Sequence, residues 1–363
     1  MKNTFGSSVS ITLFGESHGE YIGAVLDGLA PGLEVNEKFI SSQLALRRPA
    51  GKTGTKRVEK DNFSIVSGVF GGRTTGTPLC IIIPNENVKS ADYELSSFIP
   101  RPGHADFTAN KKYHGFEDYR GGGHFSGRLT AALVAAGAIV IDALRQKDIY
   151  IGTHIARCAK ISDRHFRNLK EDIDYLNKQK FAVLDSAKAE SIQAAIKTAA
   201  DDGDSVGGIL ETAVTGLPAG VGEPWFDTVE GTLSHALFSI PAVKGIQFGN
   251  AFRDIDLKGS EYNDAFIIKG GKVETKTNRN AGINGGITNG MPVIFSLAVK
   301  PTPSVFTQQD SVDLMQMKET KLKIAGRHDP AVIHRARVVV DSVTALVIAD
   351  LLAQRYGTDY LGE

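Results

Sequence analysis

Apolar residues recur at strand spacing over much of the chain, and turns rich in glycine and polar residues separate these stretches. The pattern predicts strands at 9–14, 22–28, 63–70, 79–83, 150–157, 208–215, 244–252, 265–276 and 291–299. KGGK at the centre of 265–276 predicts that this segment is a hairpin. Strands therefore occur throughout the chain rather than in one block.

Helical spacing of apolar residues occurs in four segments. They are 36–48 with Asn36 as the N-cap, the stretch from Ser126 or Gly127 to Leu144, 168–202, and the stretch from Pro330 to about Tyr356. Residues 168–202 are rich in Lys, Asp, Ala and Gln and are predicted to form a peripheral, solvated insertion. The polar segment after KPTPS is predicted to be mobile. With no repeat and no linker, we expect one α+β domain over 1–363, and a two-lobed fold stays open.

The stretch RGGGHFSGRLTAALVAA, residues 120–136, is the centre of the pattern. Its glycines can bring backbone close to a ligand, and the N–H groups at the following helix start, with Arg128 in the first turn, suit an anion. The alternative is a flexible turn that caps a core helix. Ser126 stands where a dinucleotide fingerprint needs glycine, and Arg128 and Leu129 replace the Lys and Ser/Thr of a P-loop, so both motifs are rejected.

The amino-acid composition excludes several classes of protein. Of 363 residues, 42% are apolar and 23% charged, with 41 basic and 41 acidic, which is ordinary for a globular chain and argues against a general nucleic-acid binder. Cys80 and Cys158 are too few for a disulfide scaffold and fit a reducing compartment. The N-terminus lacks the apolar core of a signal peptide, and no apolar run approaches the ~20 residues of a membrane span. We expect a soluble, cytoplasmic protein without a membrane partner.

Candidate chemistry lies in the polar turns, which carry His18, His104, Arg128, Asn284, Lys300, Arg327 and Asp329. Several arginines and lysines lie near the same turns, and arginine binds carboxylate and phosphate through two parallel hydrogen bonds. If these side chains converge they form a pocket for a small polyanion, whereas scattered surface charges are the alternative. No metal site is expected, because His328 and His334 lie six residues apart and there is no Cys/His cluster.

Taken in order, the turns resemble the chorismate synthase family. The matching motifs are GESHG at 15–19, RRPAG at 47–51, RPGHAD at 101–106, DYRGGG at 118–123, GDSVGG at 203–208, NGG at 284–286, KPTPS at 300–304 and GRHDP at 326–330. Each motif alone is weak, but eight in the right order are specific, and they extend from Phe14 to about Ala336.

The resemblance implies a carbon–oxygen lyase with a family-specific α+β sandwich fold. Its reaction, the last step of the shikimate pathway, is the 1,4-anti elimination of phosphate from 5-enolpyruvylshikimate 3-phosphate to give chorismate. Reduced FMN is required although the reaction has no net redox change, and members are typically homotetramers. Some members also reduce flavin, and whether this chain does so, with NADP as nucleotide, stays open.

The resemblance also assigns residues. His18 is assigned to the phosphate side, His104 to protonation of the reduced flavin, and Asp329 to deprotonation at the flavin N5. The substrate anions are assigned to Arg47, Arg48, Lys52, Arg128 and Arg335. The FMN contacts are assigned to Ser126, Ala242, Gly285, Lys300, Pro301, Thr302, Pro303, Ser304 and Arg327, for which ordinary turn chemistry is the alternative.

Departures from the family pattern lie near the expected flavin site. His124 and Phe125 stand where many members have Arg and Ser, NAGINGG is one residue shorter than usual, and Pro241 and His334 replace other residues. They leave open a catalytically idle flavin-binding homologue. A binder of that kind has no need of His18, His104 and Asp329, which favours the enzyme. An unrelated phosphate-handling transferase is disfavoured by the missing nucleotide motifs.

Overall fold

The computed structural model describes residues 2–49, 60–86, 98–324 and 329–362. Its helices are α1 (Glu37–Arg47), α2 (Asp106–Tyr113), α3 (Thr130–Gln146), α4 (Leu169–Leu176), α5 (Ser186–Asp201), α6 (Val229–Leu237), α7 (Ala251–Asp254), α8 (Gly259–Tyr262) and α9 (Ile333–Tyr356). Short 3-10 segments occur at Arg120–Phe125, Gly127–Leu129, Trp225–Asp227 and Thr358–Leu361.

The strands among the described residues form two large sheets and several small hairpins. They are β1 (Thr4–Phe5), β2 (Ser10–Gly15), β3 (Tyr21–Asp27), β4 (Ser64–Ser67), β5 (Val69–Phe70), β6 (Arg73–Thr74), β7 (Leu79–Pro84), β8 (Tyr150–Cys158), β9 (Ile161–Ser162), β10 (Gly208–Thr215), β11 (Val243–Phe248), β12 (Phe266–Lys269), β13 (Lys272–Thr275), β14 (Ile283–Asn284), β15 (Ile287–Thr288), β16 (Val293–Val299), β17 (Gln309–Asp313) and β18 (Lys318–Leu322).

Both large sheets are antiparallel and have five strands. The first has the order β1-β2-β3-β7-β4 and the second β11-β16-β10-β8-β9. In β7 the residues Leu79, Ile81 and Ile83 are buried while the intervening ones are partly exposed, so one face of this strand packs on the core.

Two apolar helices lie between the sheets. Helix α3 contacts β3 and β7 of the first sheet, α9 contacts β8 and β10 of the second, and the two helices pack against each other. Nearly every residue of both helices is buried, which is typical of helices covered on all sides. A Cβ on Gly137 of α3 would lie 2.7 Å from the Cα of Ser342 in α9, so glycine is required where the helices cross. The predicted α+β sandwich is confirmed.

Helix termini follow the capping signals. The backbone N–H of Phe39 donates to Oδ1 of Asn36 over 3.0 Å, as predicted for the start of α1. Ser126 accepts from the backbone N–H of Arg128 over 3.2 Å, so the predicted start at 126–127 is confirmed, with a 3-10 turn before α3. The final helix begins at Ile333 and ends at Tyr356.

Three expectations about elements are wrong. The strand predicted for 244–252 ends at Phe248, because the chain turns at Gly249 into α7. The polar segment after KPTPS, expected to be mobile, forms the hairpin β17–β18, and its Ser311 hydroxyl donates to the Pro100 carbonyl over 2.6 Å. The third wrong expectation is that no apolar run approaches the length of a membrane span. Residues Gly127–Gln146 have the length and hydropathy of such a span, although 89% of that window is buried inside the protein, as in a core helix.

Residues 168–202 contain α4 and α5, whose inward side chains Ile173, Leu176, Ile192 and Ile196 are buried. The apolar faces of both helices are therefore packed, while most of their polar residues face outward. That this segment is an insertion into a single domain stays a prediction.

Candidate active site

Several of the polar turns that carry candidate catalytic and binding residues line one cavity of about 1140 Å³. Its walls come from the end of α1, the turns at 101–106 and 121–128, the segment 235–244, the turn at 300–304 and the start of α9. Segments more than 200 residues apart in the chain thus face one space.

Most of the predicted site residues line this cavity. They are His18, His104, Asp329, Arg47, Arg48, Arg128, Arg335, Ser126, Ala242, Lys300, Thr302, Pro303 and Ser304. Pro301 is not among the lining residues, and Gly285 lies in the β14–β15 turn, also outside the lining. Lys52 and Arg327 lie outside the described residues. The expected convergence of basic side chains is therefore observed, and the individual roles stay predictions.

The glycine turn fixes His18. Gly121, Gly122 and Gly123 all have left-handed backbone, with φ of 61°, 85° and 51°, which other residues rarely adopt. A Cβ on Gly121 would meet the His18 ring and would lie 2.6 Å from the Ser17 Oγ, so only glycine allows this approach. The backbone N–H of Ser17 donates to the Gly123 carbonyl over 3.1 Å.

Hydrogen bonding at Ser17 assigns the His18 tautomer. The Ser17 Oγ lies 2.9 Å from the His18 Nδ1 and 3.1 Å from the Gly121 carbonyl. Because a carbonyl can only accept, both of these contacts are satisfied when the serine hydroxyl donates to the carbonyl and accepts from Nδ1–H. In the neutral ring, Nε2 is then the proton-accepting nitrogen.

The turn at 101–106 fixes His104. The Arg101 guanidinium donates to both oxygens of Asp106 over 2.8 Å, which closes the turn. The His104 Nε2 lies 2.8 Å from the Ser304 Oγ and its Nδ1 lies 3.2 Å from the Pro102 carbonyl. Nδ1 therefore carries the proton and Nε2 accepts from the serine hydroxyl.

The environment keeps His104 neutral near pH 7. Burial lowers its pKa to about 4, with help from the positive charges of Arg101 and Lys300, while Asp106 opposes the shift. Lys300 is held against the same turn, because its Nζ donates to the Gly103 carbonyl over 2.7 Å.

Three arginines surround one buried carboxylate. Nη2 of Arg47 lies 3.1 Å from Oδ2 of Asp61, Nε of Arg48 lies 3.6 Å from the same oxygen, and Nη1 of Arg128 is hydrogen-bonded to Oδ1. The Asp61 side chain is fully buried. Burial by itself raises the pKa of Asp61, but Arg47 and Arg128 outweigh it and hold the pKa below its usual value.

Arg335, the fourth arginine assigned to the substrate anions, is paired with Asp329. Nη1 of Arg335 lies 2.6 Å from Oδ2 of Asp329, and Nε of Arg335 donates to the Arg47 carbonyl over 2.8 Å. Asp329 therefore has a cationic partner beside the arginine cluster, and the start of α9 is tied to the end of α1.

Sequence reasoning missed several residues of this site. Asp61 and Asn85 follow no motif, so nothing in the pattern marked them. Oδ1 of Asn85 accepts from Nε of Arg128 over 3.0 Å, and its amide nitrogen donates to the Glu16 and Gly19 carbonyls. Asn85 thus joins the GESHG turn to the arginine cluster.

The model of the family described as chorismate synthase matches residues 9–353. The chain belongs to the chorismate synthase family. The match includes every predicted site residue and Asp61.

Proteins named chorismate synthase are similar to this chain along nearly their whole length. That of Pyrococcus abyssi is 44% identical over 350 residues, which cover 96% of this chain and 97% of the relative. That of Thermococcus kodakarensis is 43% identical with the same coverage, and that of Chitinophaga pinensis is 44% identical over 355 residues, covering 97% and 98%.

A solved structure described as a crystal structure of chorismate synthase has the same architecture. Its TM-score with this chain is 0.78 at 26% sequence identity, over 98% of this chain and 95% of that one. The α+β sandwich is thus the chorismate synthase fold.

Proposed function

We propose that the cavity is where the chain eliminates phosphate from 5-enolpyruvylshikimate 3-phosphate, in a reaction that depends on reduced FMN. Membership of the family makes the chain a chorismate synthase, a lyase that eliminates phosphate. The observation that carries the site assignment is the convergence of His18, His104 and the arginine cluster on one cavity.

The arginine cluster accounts for substrate charge. The substrate carries two carboxylates and a phosphate, whereas the protein has no net charge. Of the four described arginines assigned to the substrate, Arg48 and Arg335 are the more exposed, with 34% and 23% of their side chains accessible, so they are assigned to direct contact with substrate anions. Arg47 and Arg128 are buried, so they are assigned to raising the positive potential of the cavity without direct contact with the substrate.

His18 is assigned to the leaving phosphate. The elimination breaks one ring C–H bond and the C–O bond to phosphate, and the departing oxygen is stabilised by a proton or a hydrogen-bond donor. Ser17 holds the His18 ring with Nε2 as the exchangeable nitrogen. An imidazole in this orientation can carry a proton at Nε2 and share it with the phosphate.

The walls of the cavity fit a flavin. A Cβ on Gly127 would meet no atom within 4 Å, so the backbone leaves open space there. The Thr302 Oγ1 is buried without a hydrogen-bond partner among the described residues, which suits a polar ligand atom. Ser126, Ala242, Thr302 and Ser304 would hold the FMN, with Leu133 and Val343 as apolar wall. Bound reduced FMN supplies electron density that assists loss of phosphate.

His104 and Asp329 are assigned to proton handling on the flavin side. His104 is neutral in this structure, and an anion bound nearby would offset the effect of Arg101 and Lys300 and raise its affinity for a proton. The Asp329 carboxylate lines the cavity and is held in place by Arg335.

A homotetramer in the cytoplasm is part of the proposal. Among the described residues no third strand pairs with the hairpin β12–β13, which exposes Phe266, Ile268 and Val273. Phe252 and Ile255, which precede the hairpin in the chain, are also exposed. A two-stranded hairpin with apolar faces in water is marginal alone, so contact with another copy is the expected arrangement. NADP-dependent flavin reduction has no supporting observation in the described residues.

Complementation of a chorismate-requiring strain tests the function in a cell. Growth with the wild-type chain and no growth with His18→Ala would support it. Well-expressed, folded protein that does not restore growth would favour the idle homologue, for which the described site offers no support.

A further inference from the structure

Asp61 has an unusual local structure for a residue outside any motif. It is a non-glycine residue with φ of 50°, in the left-handed region that costs free energy unless surrounding contacts enforce it. Its carboxylate is fully buried and lies where the end of α1 meets the turn that begins α3. Strained backbone of this kind occurs preferentially at functional sites.

The contacts of Asp61 determine where three guanidinium groups lie. Both oxygens accept from Nη2 of Arg47, at 3.3 and 3.1 Å, and Oδ1 also accepts from Nη1 of Arg128. Arg48 approaches Oδ2 through its Nε. One carboxylate thus connects residues from two separate elements.

The negative charge of Asp61 allows the arginines around it to be buried, and the cluster as a whole still attracts an anion. Arg47 and Arg128 have only 4% and 3% of their side chains exposed, and like-charged groups buried together repel one another unless a carboxylate lies between them. Counting these described groups alone, the ionised Asp61 and the three arginines carry two net positive charges at the cavity wall.

The other partners of Arg128 make this placement rigid. Its Nε donates to Asn85 over 3.0 Å and its Nη2 donates to the Pro84 carbonyl over 3.1 Å. Within the described part of the chain, Arg48 has no comparable set of side-chain hydrogen bonds, and a third of its side chain is exposed, so its orientation depends most on Asp61.

We propose that Asp61 is a positioning residue that holds the arginine cluster in the geometry required to bind the phosphate or carboxylate of the substrate. It acts through Arg47, Arg48 and Arg128 and does not itself contact the reacting atoms. The identity of the anion rests on the proposed function, but anion binding itself can be tested without the reaction.

Two substitutions of Asp61 distinguish a role in positioning the arginines from a role in balancing their charge. Asp61→Asn removes one negative charge, so a role in charge balance alone predicts tighter anion binding by the more positive cluster. Positioning predicts the opposite, because the guanidinium groups lose their anchor. Asp61→Glu keeps the charge and moves it by one methylene, so charge balance predicts full rescue and positioning predicts a second loss.

The measurement is titration calorimetry of the full chain with three probes: 5-enolpyruvylshikimate 3-phosphate, inorganic phosphate and shikimate. Both variants should weaken binding about tenfold or more for the anion that the cluster holds. A loss with phosphate but not shikimate assigns the cluster to the phosphate, and the reverse assigns it to the ring carboxylate. In turnover assays KM should rise more than kcat falls.

Asp172→Asn is the matched control, because Asp172 has a similar two-oxygen contact with Arg164 outside the cavity lining. It should leave all three dissociation constants unchanged. Asp61→Asn with unchanged or tighter binding, or full rescue by Asp61→Glu, would overturn the proposal. If wild type binds phosphate but neither binds nor converts the full substrate, the proposed function fails while the phosphate titrations still decide on Asp61.

Discussion

Individual residues of the site were predictable where they belong to a motif and were missed where they do not. His18, His104 and Ser304 lie in short turns of recognisable composition, and the structure brings these turns together. Asp61 is a single aspartate whose importance arises from residues 14 and 67 positions away, so only the folded chain identifies it.

Replacing His104 tests its assignment to proton transfer. His104→Ala should lower turnover by about 10²–10⁴-fold, because a loop imidazole contributes that much as an acid or base and little to the core. Steady-state kinetics with reduced FMN measures the effect. His165→Ala, whose side chain is 66% exposed, serves as the control and should retain wild-type turnover. Near-normal turnover of His104→Ala would refute its assigned role.

His334 should make the free energy of unfolding depend on pH. It is 1% exposed, and neither ring nitrogen has a hydrogen-bond partner among the described residues. Burial lowers its pKa to about 4, although Asp329 opposes the shift. The unfolded chain, with the ordinary pKa near 6.5, then binds more protons between these values, so stability falls as the pH falls from about 6.5 towards 4.

His334→Leu removes this proton uptake. We expect a smaller loss of stability over the same pH range, and at pH 7 a stability equal to or above that of wild type, since an unpaired buried polar group is lost. Denaturant unfolding across the pH series measures both. His104 contributes a similar dependence, which remains in the variant. An unchanged slope would mean that His334 does not titrate in this range.

At the scale of elements, apolar periodicity located the strands and helices that build the core. Apolar periodicity could not predict elements whose side chains are not buried in the core. No residue of β17 or β18 is buried, so the hairpin carries no apolar signal. Helix α6 was also missed, although Thr228 caps it by accepting from the backbone N–H of Gly231 over 2.9 Å.

The crossing of α3 and α9 should tolerate no side chain at position 137. Gly137→Ala places a methyl group against Ser342 and should cost about 1–3 kcal/mol of stability, because a packed helix pair must separate. Gly259→Ala, where a Cβ meets nothing within 4 Å, should change stability by less than about 0.5 kcal/mol. Equal free energies of unfolding for the two variants would show that the helices move apart at little cost.

At the scale of the whole molecule, neutral overall charge conceals a local concentration of positive charge. The chain balances 41 basic against 41 acidic residues, yet the cavity collects Arg47, Arg48, Arg128 and Arg335 around two carboxylates. Composition could exclude a nucleic-acid binder but could not reveal this pocket, because convergence depends on contacts between segments distant in the chain.

The α3–α9 pair explains how such segments converge. The two helices separate the sheets, and their first turns, with the preceding loops, carry Arg128 and Arg335 to the same cavity. Because α3 and α9 also fill the core, the positions of these arginines are tied to the stability of the fold. Motif order could identify the family, whereas this arrangement required the structure.

The most direct test is an anaerobic reaction of purified chain with 5-enolpyruvylshikimate 3-phosphate and chemically reduced FMN, in which chorismate and free phosphate are both assayed. We predict equal amounts of the two products, formed only when reduced flavin is present. A folded chain that binds substrate and flavin but releases neither product, or releases phosphate without chorismate, would contradict the account.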